Sequence, residues 1–266
     1  MFRVNNNFTK AFIRYCSTSN KTTSKPKIDS AQNDSSCKLV PLDSSVNIHL
    51  HHNSNSFLSY LLPTTITSTT SNTQNELTLV GETVELIPLK REHAQDLVEA
   101  SKDGELWNIK FTVIPNQETI HKYLDTAIAE RDKGTSIPFT IVRKSDGKVV
   151  GSTRLLRLDR KNGQAGIGYS WLSASVQRTS INTECKFLLL TYAFEVLNCI
   201  RVQIMTDRLN EKSATAIARL GAKLEGTLRH ECIMPDGRIR DTLCFSIIDS
   251  EWQESKSILL SKLSRK

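Results

Sequence analysis

From Leu77 onward, apolar residues recur with two distinct periods, and each switch of period marks an element. "LTLVGETVELIPL" alternates apolar and polar positions, the pattern of a half-buried strand. "REHAQDLVEASKDG" reads as a short helix closed by Gly104. In "NQETIHKYLDTAIAERDKG", Ile120, Tyr123, Leu124, Ala127 and Ile128 share one helical face, and Gly134 follows the last turn as a C-cap. "IPFTIVRKSDGKVVGSTRLLRL" returns to alternation on both sides of "SDG", which predicts a hairpin. "AGIGYSWLSA" is a further strand. A polar loop then feeds an apolar helix running to about Leu197, and "IRVQIMTD" is the next strand. "NEKSATAIARLG" is a helix with Asn210 at its N-cap and Gly221 beyond its end. A last hairpin turns at "PDG" in "AKLEGTLRHECIMPDGRIRDTLCFSII", and "DSEWQESKSILLSKL" closes as an amphipathic helix. Strand, two helices, three strands, helix, strand, helix and two strands predict an α/β (α+β) fold: a mixed sheet with helices on its faces.

The first 78 residues follow neither period. Ser, Thr and Asn dominate "STSNKTTSKPKIDSAQNDSS" and "TTITSTTSNTQN", and such stretches bury too little apolar area to offset chain entropy, so disorder is expected there. The opening "MFRVNNNFTKAFIRYCSTSNKTTSKPK" carries Arg3, Lys10, Arg14, Lys21, Lys25 and Lys27 with no acid before Asp29. Phe8, Ala11, Phe12 and Tyr15 fall on one helical face, and the composition is that of a mitochondrial presequence over about residues 1–27, which predicts the mitochondrial matrix; without import the chain is expected in the cytoplasm. The organisation expected is 1–78 presequence and linker, 79–251 globular domain, and 252–266 C-terminal amphipathic helix.

Composition narrows the function classes. The net charge is +7; seven Lys and Arg against four acids before Val80 put about +3 of it in the tail. The remaining +4 is too little to argue for nucleic acid and suits an anionic ligand. No window approaches ~18 uninterrupted apolar residues, so no membrane-inserting helix is expected. Cys16, Cys37, Cys185, Cys199, Cys232 and Cys244 form no CxxC pair, and His49, His51 and His52 sit in the polar linker, so no metal is expected.

The polar loop carries the chemistry. "VQRTSINTECKFLLLTYAFEVL" places Gln177, Arg178, Thr179, Ser180, Asn182 and Thr183 directly before an apolar helix. A helix N-terminus leaves backbone N–H groups unpaired and carries partial positive charge, so it accepts a phosphate. Arg178 can add a charge-assisted contact. The bland alternative is a plain N-cap made by Ser180 or Asn182.

With "GIGYSWLS", "TDRLNEKSATAIARLGAKLEGTLR" and "DGRIRDTLCFSI", this loop resembles the GNAT superfamily of N-acetyltransferases over about Val80 to Glu251. The branch it resembles includes the ribosomal-protein N-terminal acetyltransferases. The resemblance implies a mostly antiparallel sheet of about seven strands, splayed between strands 4 and 5, with acetyl-CoA as co-substrate. The superfamily loop reads Gln/Arg-x-x-Gly-x-Gly/Ala; Gln177 matches, while Ser180 and Asn182 stand at the small-residue positions. By resemblance a backbone N–H near Leu172 or Ser173 polarises the acetyl carbonyl, Asn210 contacts the cofactor arm, and Ser213 lies near the thioester sulfur. Where many relatives have a Tyr one turn later, this chain has Ile217, so Ser213 is the expected proton source. Relatives often carry Glu where Gly166 stands. Glu105 is therefore the candidate general base, Asp103 a weaker one, and Trp107 a candidate wall of the acceptor pocket. The implied acceptor is a primary amine, of a small molecule or a protein N-terminus, reacting directly in a ternary complex of a monomer or homodimer. The rival expectation is a non-catalytic acyl-CoA-binding sensor or scaffold.

Residues 1–40 fused to a fluorescent reporter should direct it into mitochondria; a signal confined to the cytosol rejects the presequence.

Overall fold

The computed structural model describes the backbone of Val46–His49 and Thr67–Ser68 and residues 77–265. The expected presequence, Cys16, Cys37, His51 and His52 lie outside the described residues. All described residues belong to one compact unit, Leu42–Lys266. Its strands are β1 (Val46–His49), β2 (Thr67–Ser68), β3 (Leu79–Val80), β4 (Val84–Pro88), β5 (Ser136–Arg143), β6 (Lys148–Asp159), β7 (Gln164–Leu172), β8 (Arg201–Asp207), β9 (Lys223–Ile233) and β10 (Ile239–Ile248). The helices are α1 (Ala94–Lys102), α2 (Ile120–Asp132), α3 (Ile181–Thr191), α4 (Glu211–Ala218) and α5 (Asp249–Leu263).

One sheet runs in the order β2-β1-β3-β4-β5-β6-β7-β8-β10-β9 and is antiparallel except at β1–β3 and β7–β8. It has ten strands where about seven were expected. Two extra ones, β1 and β2, lie within the stretch read as disordered. The third comes from the expected single strand 77–89, which folds back on itself so that Leu79 faces Leu86 and Val80 faces Glu85. What turns it is a carboxylate about a hundred residues away. Glu184, in the first turn of α3, accepts from the amides of Glu82 and Thr83 and from the Thr83 hydroxyl. Gly81 makes room for it; a Cβ there would lie 2.8 Å from the Glu184 carboxyl carbon.

Two apolar clusters sandwich the sheet. The larger joins Leu86, Phe139, Ile167, Leu172 and Val202 to Phe187 and Leu189 of α3 and Trp252 and Leu259 of α5. The smaller joins Leu97 and Val98 of α1 to Ile120 and Leu124 of α2 around Trp171. Ile167 and Trp171 are four residues apart, so a regular strand would send both to the same face. They reach different clusters because Ser152 pairs with Trp171 while Arg154 pairs with Gly168, which leaves Tyr169 and Ser170 opposite Thr153 alone. This is a β-bulge, with Tyr169 at φ +49°. Pairing of β7 with β8 stops at Ile167–Ile204, immediately before it, and the two strands then part. Beyond α3, a π-helical turn at Tyr192–Val196 carries Phe194, stacked on Trp252 at 5.2 Å, and Glu195, which accepts from the Trp252 indole at 2.7 Å.

Glu184→Ala removes the acceptor of two half-buried amides and frees the α3 N-terminus from the β3–β4 turn. It should cost about 2–3 kcal/mol in urea denaturation, the scale of hydrogen bonds to a charged acceptor.

Candidate active site

A cleft of about 1330 Å³ opens along β7 beyond its last pairing with β8, and α3 points its N-terminus into it. Leu172, Gln177, Arg178, Thr179, Ser180, Asn182, Thr183, Asn210 and Ser213 all line it. The loop is shaped by its own side chains. The Gln177 amide group donates to the Leu172 carbonyl at 2.9 Å, and the Thr179 hydroxyl donates to the Val176 carbonyl at 2.7 Å. The left-handed residue is Arg178, at φ +61°, so the backbone turns one step after Gln177 and not at Ser180 or Asn182. That conformation is strained for a side-chain-bearing residue, and such strain concentrates at ligand clamps.

The plain N-cap alternative does not describe this loop. Ser180 stands at the cap of α3 without a side-chain cap hydrogen bond, and Asn182 lies inside the helix. The Thr179 hydroxyl takes the Ile181 amide at 3.3 Å, and the amides of Asn182 and Thr183 have no acceptor among the described residues. They open into a cleft whose rim carries Arg178, Lys212, Arg219, Lys262 and Arg265 against one acid, Glu211. Unpaired amides, a helix N-terminus and a basic rim fit a pyrophosphate.

Leu172 and Ser173 separate cleanly. The Ser173 amide donates to the Val150 carbonyl at 2.8 Å, its hydroxyl donates to the Ala100 carbonyl at 2.8 Å, and it lines neither cavity. That bond makes Leu172 and Gly151 a non-hydrogen-bonded pair, so the Leu172 N–H points away from β6, toward the gap.

A second cavity of about 680 Å³ adjoins the first and shares Ser170, Asn182, Lys186, Asn210 and Ser213 with it. Phe111, Thr112 and Val113, between α1 and α2, form one wall. Glu105 and Trp107 belong to the same connection but line neither cavity. Glu105 sits left-handed at φ +46° and accepts from Asn108 at 3.3 Å, while Leu106 and Ile109 turn inward. Asp103 fastens the end of α1 by accepting the Ser175 amide at 3.1 Å. The carboxylate that does line the second cavity is Glu231 of β9, which accepts from the Thr242 hydroxyl at 3.1 Å. Gly166 lies in its wall, where a Cβ would come within 3.3 Å of Leu156 and 3.6 Å of the Gln203 carbonyl.

Asn210 caps α4 by accepting the Ser213 amide at 3.1 Å. The junction is held from behind by Asp207, fully buried, which accepts from Arg238 at 2.5 Å and from the Leu209 amide. Cys185 lines the first cleft, but burial pushes its thiol up to about 12, so it carries no thiolate nucleophile at neutral pH. Among the described residues, no cluster of three or more His, Cys, Asp and Glu could hold a metal ion.

One residue of the site escaped the sequence reading. Lys186, only 6% exposed, lies in the wall common to both cavities and donates to Ser170 at 2.5 Å. Burial pulls its amine from 10.5 down to about 8. The signal was a single cation inside "CKFLLL".

A lysine held at about 8 opposes folding wherever it must carry a proton. The penalty, about 3 kcal/mol, is fully present below pH 8, fades as pH rises toward 10.5, and is absent above that. Lys186→Met removes it. The stability of that variant relative to the parent, from urea denaturation, should fall by about this amount between pH 7.5 and 10.5; a difference independent of pH would mean that the amine is solvated.

Comparison with known proteins agrees with this geometry. The model of the acetyltransferase (GNAT) domain matches residues 83–223, more than half of the 266. YdaF of Bacillus subtilis (strain 168), named provisionally as a ribosomal N-acetyltransferase, is 35% identical over 111 residues, which are 42% of this chain and 60% of YdaF. The crystal structure of a GCN5-related N-acetyltransferase from Brucella melitensis is 31% identical and superposes with a TM-score of 0.64, covering 71% of this chain and 86% of that one. Mycobacterium smegmatis RimJ in complex with CoA-disulfide has the same fold, with a TM-score of 0.59 at 21% identity over 68% of this chain and 90% of RimJ. With its parted strands, open helix N-terminus and matching domain, this chain belongs to the GNAT family of acetyltransferases.

Proposed function

We propose that the chain transfers an acetyl group from acetyl-CoA to a primary amine, by direct attack of the amine on the thioester in a ternary complex. The observation that carries this reading is the pair of unpartnered amides at Asn182 and Thr183, opening onto a basic-rimmed cleft that joins a second cavity. The pyrophosphate takes those amides and Arg178. The pantetheine arm runs along β7 past Leu172, whose N–H is the donor available to the acetyl carbonyl. Asn210 contacts the arm with its free amide nitrogen while its oxygen caps α4. The amine enters from the second cavity, where Glu231 offers a carboxylate to an incoming ammonium. The two cavities meet at Ser213, whose hydroxyl hydrogen-bonds the charge developing on sulfur.

Thiol release from acetyl-CoA, measured against spermidine, free amino acids and peptides with Ser or Ala N-termini, tests the reading. At least one amine should be turned over. Tight CoA binding with no turnover on any amine would favour a non-catalytic acyl-CoA-binding module. On the amine that reacts, Ser213→Ala should cut kcat by about 10- to 100-fold with little change in CoA affinity, because its bond strengthens only in the transition state. Unchanged kcat would reduce Ser213 to a residue of the first turn of α4.

A further inference from the structure

We propose that Lys186 is the proton carrier of the reaction, taking the proton that the amine must lose and delivering it to the departing thiolate. The inference rests on the transferase reading above and concerns a residue that reading does not use.

Amine acetylation displaces a proton at one end and needs one at the other. Forming the C–N bond leaves nitrogen with a proton to shed, and breaking the C–S bond leaves a thiolate that needs one. A single group serves both ends if it can reach both and if its proton affinity lies between theirs. Lys186 meets the first condition by position. It stands on α3 in the wall that the two cavities share, and its Nζ donates to Ser170, which lines both. Its bond to Ser170, which in turn bonds Thr153 at 2.7 Å, holds the amine at the bulge where β7 leaves β8.

The second condition follows from what surrounds it. The titratable and charged groups in the adjoining walls are Cys185 on α3 itself, Glu211, Lys212 and Arg219 at α4, Arg157 of β6, Tyr169 of β7, Arg178 of the loop before α3, Lys262 and Arg265 at the end of α5, and Glu231, Cys232 and Arg240 of the β9–β10 hairpin. None forms an ion pair with Nζ; Glu231 is matched instead to Arg157 at 3.7 Å. Without a counter-charge, burial holds the amine at about 8, where it exchanges protons readily at working pH. The cycle balances. Neutral Lys186 accepts the amine's proton and becomes an ammonium, the ammonium gives that proton to the thiolate sulfur, and CoA leaves as the thiol with Lys186 neutral again.

The first arm of the test needs no amine acceptor. In the CoA complex the thiolate forms beside the Lys186 ammonium, so its ultraviolet absorbance should titrate well below the value for free CoA. Lys186→Met should raise that titration by a full pH unit or more. Lys186→Arg keeps a cation that cannot release its proton, so it should keep the low thiol titration yet lose about 10²-fold in turnover on the amine found above. Identical thiol titrations in the parent and Lys186→Met, both saturated with CoA by calorimetry, overturn the proposal and leave the transferase reading standing. So does parental turnover in Lys186→Arg. Failure of the parent to bind CoA overturns the transferase reading itself.

Discussion

The site depends on one extra residue in β7. Two residues, Tyr169 and Ser170, oppose Thr153, and three things follow from that mismatch. The bulged strand bends, so its ladder with β8 ends at Ile167. The side chains beyond exchange faces, which sends Trp171 among α1 and α2 and returns Leu172 to the core under α3. The exchange also decides which amides β6 consumes, taking Ser173 and leaving Leu172 turned to the gap. Glu184 completes the arrangement from the other side. By gripping the β3–β4 turn it fixes where α3 begins, and so where the open amides of Asn182 and Thr183 point.

Much of this was legible in the chain. Strands and hairpins follow from alternation, the "SDG" and "PDG" turns carry Gly147 and Gly237 at positive φ, and Asn210 caps the helix it was expected to cap. What could not be read depends on partners distant in sequence. The reversal at Gly81–Thr83 is made by Glu184, which no local pattern connects to it. The choice between Leu172 and Ser173 turns on bulge parity, which is a property of pairing with β6. Glu105 and Trp107 were assigned by their place between α1 and α2; the connection does border the site, but through Leu106, Ile109 and residues 111–113. Lys186 was overlooked because a cation in an apolar run reads as a tolerated exception until its burial is seen.

Two buried cations in this fold are treated in opposite ways. Arg154 of β6 is 1% exposed, yet its guanidinium lies 4.8 Å from the Tyr123 ring and 4.1 Å from the Tyr169 ring, and pairs with Glu130 at 3.3 Å. A guanidinium cannot shed its proton, so the surroundings supply the compensation. Lys186 has the Ser170 hydroxyl and, among the described residues, no ion pair, and the cost falls on its proton instead. One charge is structural and permanent; the other is exchangeable, and it stands between the cavities.

That the two cavities meet at a shared wall also bears on inhibition. A molecule threaded through the junction would occupy both at once, and it would lose its translational and rotational freedom only once. Its affinity could therefore approach the product of two separate binding constants scaled by an effective concentration, provided the connecting segment matches the path past Ser213. A nucleotide thioether extended by a short amine-bearing chain has that shape. Its gain over either half alone would report how directly the two openings communicate.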